Sequence, residues 1–342
     1  MRFRILPALL ATLLVVSLVG AVAPVDAETR SEATLECGAS VSETDATDTT
    51  VMIEERPERI VVLQPSAAQT VWELDAADRV VGAPVVTYTE YLDGIDRKEN
   101  VLNADEFGVN QEAVVELEAD IVLAPNIVPD DTVSSLREAD QTVFKFGFGT
   151  SLEFVADKTE LTGRLIGACA EADETNEQYW DRIETVRAGT DGYDAPEVLY
   201  YTDGFGAGSG TFIDEIITTA GGVNVAAENG VEGYGEINEE ALVEWDPEVI
   251  LLSDDGPGIP ESEAFDATFA VENDQVVAVN GNYISQPGPR IAIALEEVAE
   301  ILAEAETASE PTEEATDDQP GFGPIAALIA LLSAALLARR SR

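Results

Sequence analysis

The sequence predicts an α/β fold of two lobes with parallel sheets, joined by one long rigid helix. Three observations carry it. Short β-branched runs that end in turns alternate with helix-period segments, as in parallel sheets covered on both faces. The alternation stops after Phe146 and restarts beyond Gly192 and Pro196. Between these points, from Ser151 to Arg187, only two glycines interrupt a pattern with apolar residues at Leu152, Val155, Leu165, Cys169, Ala172, Tyr179, Ile183 and Val186. At 1.5 Å per residue one helix there would be about 54 Å long, suited to spanning two domains.

In chain order, residues 33 to 55 read as a hairpin, with Leu35, Ala39, Val41, Val51 and Ile53 flanking a polar turn at Asp45 to Asp48. Arg59 to Leu63 is a buried strand closed by Gln64, Pro65 and Ser66, followed by a helix from Ala67 to Leu74 and a strand at Val80 to Gly82. A helix at Gln111 to Leu117, a strand at Asp120 to Ala124, a helix at Thr132 to Ala139 and a strand at Thr142 to Phe146 complete the first lobe. The second is a strand at Val198 to Tyr201, a glycine-rich turn, helices at Thr211 to Ala220 and Glu239 to Trp245, strands at Val249 to Ser253 and Gln275 to Val279, and a helix at Arg290 to Ala303. Gly206 to Gly210 (GAGSG) reads as a tight turn, because a phosphate cradle would add the P-loop lysine or the acid of a dinucleotide site.

Composition removes whole classes of function. The 342 residues carry 67 acidic and 18 basic side chains, a net charge of −49, with no histidine and three lysines, Lys98, Lys145 and Lys158. No basic stripe exists to neutralise a nucleic-acid backbone. Histidine zinc sites and Ser-His-Asp triads cannot be built. Acid spread along the whole chain is what is expected of a protein kept soluble in multimolar salt. There the Debye length is only ~3 Å, so a functional ion pair must be in contact.

Both ends read as addresses. Met1 to Arg4, an apolar run from Ile5 to Ala23 and the small residues Val25 and Ala27 form a signal peptide cut after Ala27, with a signal anchor as the alternative. No arginine pair precedes the run, which favours the general secretory route. Thr307 to Gln319 (TASEPTEEATDDQ) is an acidic tether, placed within 304–319, and 320–342 is Pro320, Gly321, Phe322, an apolar stretch from Ile325 to Ala338 and a basic tail. That order resembles the PGF-CTERM sorting signal of archaeal surface proteins, which implies an archaeosortase-type processing enzyme and a lipid anchor. The stretch reaches about 21 Å against a ~30 Å hydrocarbon core, although a retained membrane helix is the alternative. Outside the cell the two cysteines, Cys37 and Cys169, have one possible pairing as a disulfide, with two buried thiols the alternative. The expected domains are thus 1–27, 28–150, 151–190, 191–303, 304–319 and 320–342.

Three segments resemble one family. Pro57 to Ser66 (PERIVVLQPS), Gly108 to Glu112 (GVNQE) with Glu118 to Ala124 (EADIVLA), and Pro289 with Arg290 opening the last helix are similar, in order and spacing, to the cobalamin and ferric-siderophore branch of ABC-transporter substrate-binding proteins. The resemblance runs from about Val51 to Leu302. It implies ligand held in a cleft between the lobes, and one acid on each lobe that docks into arginines of a permease. Those acids fall on Glu112 and, in INEE before the DPEVI strand, on Glu240, with Glu239 its neighbour and rival. The family often has Glu where this chain has Gln69.

A cleft at the carboxyl ends of the strands takes its candidate ligand-binding residues from polar, glycine-rich loops. They are Tyr88, Tyr91 and Phe107 in the first lobe, and Phe205, Tyr234, Tyr283, Gln286 and Arg290 in the second. For Arg290 the resemblance favours a structural place at the helix start over ligand contact. The expected function is a monomeric cell-surface receptor for a corrinoid or ferric-siderophore-type chelate, delivering it to an ABC permease without a catalytic residue, metal site or cofactor. The competing readings are a ligand-binding surface sensor and a metallocluster or chelatase-like enzyme on the same scaffold.

Overall fold

The computed structural model describes residues 40–103, 108–190 and 195–309. The signal peptide, Cys37, Phe107 and the sorting segment lie outside them.

The expected hairpin is β1 (Val41–Thr44) with β2 (Thr50–Ile53), paired antiparallel. Asp45 fastens it to the first lobe. Its buried carboxylate accepts the Thr47 and Lys145 amides at 2.8 and 3.0 Å and pairs with Arg137. Burial alone would raise its pKa, but these bonds prevail and hold it below the ordinary value.

The first lobe contains β3 (Ile60–Val62), α1 (Pro65–Glu73), β4 (Val80–Ala83), β5 (Glu99–Asn100), α2 (Gln111–Glu116), β6 (Ile121–Ala124), α3 (Asp130–Glu138) and β7 (Val143–Lys145). Its strands form one parallel sheet in the order β5-β4-β3-β6-β7. The central strands β3 and β6 are buried at every position, as unbroken apolar runs must be.

The single long helix is corrected by the structure. The segment is two helices, α4 (Leu152–Ile166) and α5 (Cys169–Gly189), separated at Gly167, which takes the left-handed conformation (φ 67°) of a helix stop. The Arg79 guanidinium donates to the Ile166 carbonyl at 2.6 Å, satisfying an end that a continuous helix would not have exposed. The chain then doubles back: Asn176 donates to the Ala156 carbonyl at 3.0 Å and the Tyr179 hydroxyl to the Leu152 carbonyl at 2.9 Å. One straight rod would carry half its apolar face past the protein. Folded in two, Leu152, Val155, Tyr179, Ile183 and Val186 enter the second lobe's core, and Leu165, Ile166 and Ala172 the first lobe's. The strut between the lobes is therefore a helical hairpin, each arm of which reaches both cores.

The second lobe contains β8 (Glu197–Thr202), β9 (Phe205–Ala207), α6 (Phe212–Thr219), β10 (Val223–Asn224), α7 (Val225–Glu228), β11 (Tyr234–Glu236), α8 (Glu239–Trp245), β12 (Val249–Ser253), α9 (Glu263–Asp266), α10 (Phe269–Glu272), β13 (Val276–Val279), α11 (Gly281–Ile284) and α12 (Ile291–Ser309). Its sheet runs β11-β9-β8-β12-β13 with β10 beside β8. The β8, β12 and β13 core is parallel, whereas β9 pairs antiparallel with both β8 and β11, so this sheet is mixed. Asp203 and Gly204, both at positive φ (46° and 88°), make the two-residue turn that reverses the chain from β8 into β9. The glycine-rich stretch beyond it pairs with the 231–236 segment, Gly208 donating to the Gly233 carbonyl and Ser209 to that of Val231 at 2.8 and 2.9 Å. Helix α12 continues through Ser309, past the expected boundary at 303, because Ala303 and Ala305 still pack into the core.

Candidate ligand cleft between the lobes

The carboxyl ends of both parallel strand sets converge on a cleft of about 540 Å³. The first lobe supplies Gln64 to Ser66 after β3, Tyr88 after β4, Pro125 to Ile127 after β6, and Phe148 after β7. From the second come Tyr200 and Thr202 on β8, Phe212 opening α6, Tyr234 on β11, Ser253 and Asp255 at the end of β12, and the turn around Ser285 to Pro287. Large apolar surfaces stay open to solvent here: Ile127 is 70% exposed, Phe148 68%, Tyr88 49% and Tyr234 48%. Side chains that could have entered a core and did not are available to cover a ligand.

Of the expected cleft residues, Tyr88, Tyr234 and Gln286 line it. Phe205 stands on β9, between β8 and β11 in the sheet, outside the lining. Tyr91, Tyr283 and Arg290 instead form a seam between the lobes. The Arg290 guanidinium lies 4.9 Å from the Tyr91 ring centroid and 5.6 Å from that of Tyr283, and its Nε donates to Glu73 of α1 at 2.7 Å. The two tyrosine rings meet edge to face at 5.7 Å. Ile127 and Phe148 were missed by sequence reasoning. Each sits just past a strand read correctly, in a loop at the edge where such sheets bind ligands, and that position was the available signal.

Gln69 is the centre of the seam. Fully buried, it donates through Nε2 to the Tyr91 hydroxyl at 2.9 Å and the Asn282 carbonyl at 3.3 Å, and accepts the Arg290 amide on Oε1 at 3.0 Å. A glutamate here could not donate to the Asn282 carbonyl and would bury a charge, so the amide fits the partners present. Gln286 joins seam to cleft: it accepts the Tyr91 hydroxyl at 3.1 Å and donates to the Tyr88 carbonyl at 3.0 Å. Burial pushes the Tyr91 phenol up to about 12, despite the opposing Gln69 bond and Arg290 charge. Tyr234 is open to water along the cleft, yet flanking protein desolvates its phenol, and with Tyr200 beside it the pKa is pushed up to about 12.

The three lysines share one structural pattern. Lys98 donates to the carbonyls of Ala77 and Val80 at 2.6 and 2.8 Å. Lys145 shapes the cleft loop after β6 by donating to the carbonyls of Asn126, at 3.0 Å, and Val128, while pairing with Asp130. Lys158, buried in α4, donates to the Pro287 carbonyl at 2.9 Å and to Ser66 Oγ at 3.4 Å, tying strut, first lobe and second lobe together under the cleft floor. Desolvation lowers its pKa from 10.5 to about 7.

The two candidate docking acids occupy matching positions. Asn110 caps α2, accepting the Ala113 amide at 3.1 Å, and Asn238 caps α8, accepting the Ala241 amide at 2.9 Å. Glu112 and Glu240 are each the second helical residue after that asparagine, both exposed, while the rival Glu239 is the first. Both helices begin at the cleft-side edge of their sheets, since β5 and β11 run parallel to the cores they flank. At the N-terminal caps a carboxylate is favoured by the helix dipole.

Cys169, at the start of α5, is disulfide-bonded. The sequence holds one other cysteine, Cys37, which lies outside the described residues. Among the described residues no cluster of His, Cys, Asp and Glu is able to hold a metal ion.

Comparison with known proteins agrees with this geometry. The chain is 37% identical, over 96% of its length and 98% of the relative's, to a cobalamin-binding protein of Halobacterium salinarum. It is 25% identical to a vitamin B12-binding protein of Vibrio cholerae over 72% of this chain and 89% of that one. Among solved structures, the heme binding protein HmuT superposes with a TM-score of 0.67 at 24% identity, covering 77% of this chain and 90% of that one. The periplasmic vitamin B12 binding protein BtuF of Vibrio cholerae gives 0.62 at 23%, covering 73% and 98%; both likenesses speak for the fold. Residues 319–340 match the PGF-CTERM motif. Residues 60–283 match the periplasmic binding protein model, and the chain belongs to that family.

Proposed function

We propose that the protein captures a corrinoid in the cleft between its lobes and hands it to an ABC permease, without catalysis. The observation that carries the reading is the cleft itself: it opens between two lobes held by a seam and strut, and is walled by exposed aromatic and apolar side chains interleaved with hydrogen-bonding groups that, Asp255 apart, are uncharged. A flat macrocycle fringed with amides needs those two kinds of surface. The similarity to cobalamin-binding proteins supports it. Haem fits less well. The chain has no histidine to ligate its iron.

Glu112 and Glu240, one on each lobe at the cleft-side edge, are the permease contacts, each meeting an arginine directly. In molar salt only such a contact survives screening. The PGF-CTERM match supports processing by an archaeosortase-type enzyme and anchorage at the outer cell surface, with the acidic segment past Ser309 as tether.

Quenching of intrinsic fluorescence on titration of the purified protein in molar KCl tests the reading. Cyanocobalamin and cobinamide are expected to bind at one equivalent, and haem and ferric siderophores weakly. Tight binding of haem with none of either corrinoid would overturn it.

A further inference from the structure

The charge on the cleft wall is unusual for so acidic a chain. Among the described lining residues Asp255 alone carries a formal charge, and no cation stands with it. Three basic groups around the cleft are engaged with other partners: Lys145 with the loop carbonyls and Asp130, Lys158 with Ser66 and the Pro287 carbonyl, and Arg290 in the seam with Glu73.

Asp255 is held in place. The Ser253 hydroxyl donates to its Oδ1, and the carboxylate rests against Gly281, where a Cβ would come within 2.3 Å of Oδ1 and 2.2 Å of Ser253 Oγ. Any side chain at position 281 would evict it. Gly281 in turn donates its amide to Asp254 at 2.8 Å, which fixes the turn that brings the two strand ends together. The wall is thus built around an exposed carboxylate at the end of β12.

We propose that Asp255 determines the ligand's charge class: it excludes anionic ligands and favours an uncharged or cationic ligand that presents N–H donors, of which an amide-fringed corrinoid is one. A ligand carboxylate brought to this wall would meet an unneutralised like charge after losing its water. An amide in the same place would donate to it. Because ligand and Asp255 are in contact, the discrimination persists where the Debye length is ~3 Å.

The inference rests on the cleft being the ligand site, and its test separates the two. Dicyanocobinamide and dicyanocobyrinic acid share one macrocycle and differ in carrying amides or carboxylates. Titrated at neutral pH in molar KCl, the wild type is expected to favour the amide form by about tenfold or more, which is 1.4 kcal/mol per tenfold. Asp255→Asn keeps the shape and should tighten binding of the acid about tenfold, with far less effect on the amide form. Gly281→Ala, which displaces the carboxylate by crowding, should move the preference in the same direction. An equal preference in wild type and Asp255→Asn would overturn the proposal. If neither corrinoid binds, the corrinoid reading fails by itself. The charge rule is then read from a neutral ferric trihydroxamate against a trianionic ferric tricatecholate, with the same two outcomes.

Discussion

Lys158 gives the protein a stability that depends on pH in an unusual window. Its ammonium is buried where strut and lobes meet, with a carbonyl and a hydroxyl as partners and, among the described residues, no carboxylate in contact. The folded pKa is about 7 against an ordinary 10.5, so between those values the unfolded chain binds more protons than the native one. Stability therefore rises with pH across this range, by up to 1.36 kcal/mol per unit, and the penalty is complete below about pH 7. The whole shift corresponds to on the order of 5 kcal/mol, of which about 3 kcal/mol falls between about pH 7 and 9.5. Lys158→Met removes the charge and keeps most of the volume, but leaves the Pro287 carbonyl without its donor, at a cost of ~1 kcal/mol. Urea unfolding of wild type and variant at fixed KCl supplies the assay. The difference cancels Lys98, whose pKa is also lowered by burial, and the raised tyrosines. The variant is expected to be more stable than wild type near pH 6.5 and to lose that advantage by about pH 9.5. A difference that stays flat across the range would refute a neutral-preferring Lys158.

Changing Glu112 and Glu240 together to Gln should reduce uptake and permease binding and leave the ligand dissociation constant unchanged; equal loss of ligand affinity would place them in the cleft instead. Non-reducing peptide mapping should recover Cys37 joined to Cys169, a closure of more than a hundred residues worth ~4 kcal/mol in the chain-entropy model, and two alkylatable thiols would contradict it. Scattering curves with and without ligand should nearly superimpose, because two helices packed into both cores and the Gln69 and Arg290 seam resist a hinge. A change in radius of gyration of several ångströms would show that they do not.

Much of the fold could be read from the sequence because its strands are buried on both faces. Ile60 to Leu63 and Ile121 to Ala124 are apolar at every position, rich in β-branched residues and short, which suits a parallel strand covered on both faces. The strut was misread for a physical reason. Helical periodicity continues on both sides of Gly167, and a glycine that passes through a helix, as Gly163 does, has the same local signature as one that ends it. Only the cores on either side decide, and those are tertiary. The β8 to β9 reversal was legible in Asp203 and Gly204, a strong hairpin signal, but was hidden by the glycine-rich run beside it. In the cleft, Tyr88, Tyr234 and Gln286 follow from loop position, whereas Tyr91, Tyr283 and Arg290 have the same loop chemistry and are drawn into the seam by one another. Sequence carries the residue types of both groups; which side chains pair depends on how the lobes meet.

Calorimetric titration of cyanocobalamin into the mature protein in molar KCl tests the central claim most directly, paired with the Tyr88→Ala, Tyr234→Ala double variant. Removing one aromatic from each wall costs stacking area on both sides of a ligand held between the lobes. The account predicts one-to-one binding by wild type that the double variant weakens by about tenfold or more, with its melting temperature little changed since both rings are half exposed. Absence of binding by wild type, or equal affinity in the variant, would contradict capture of a corrinoid in this cleft.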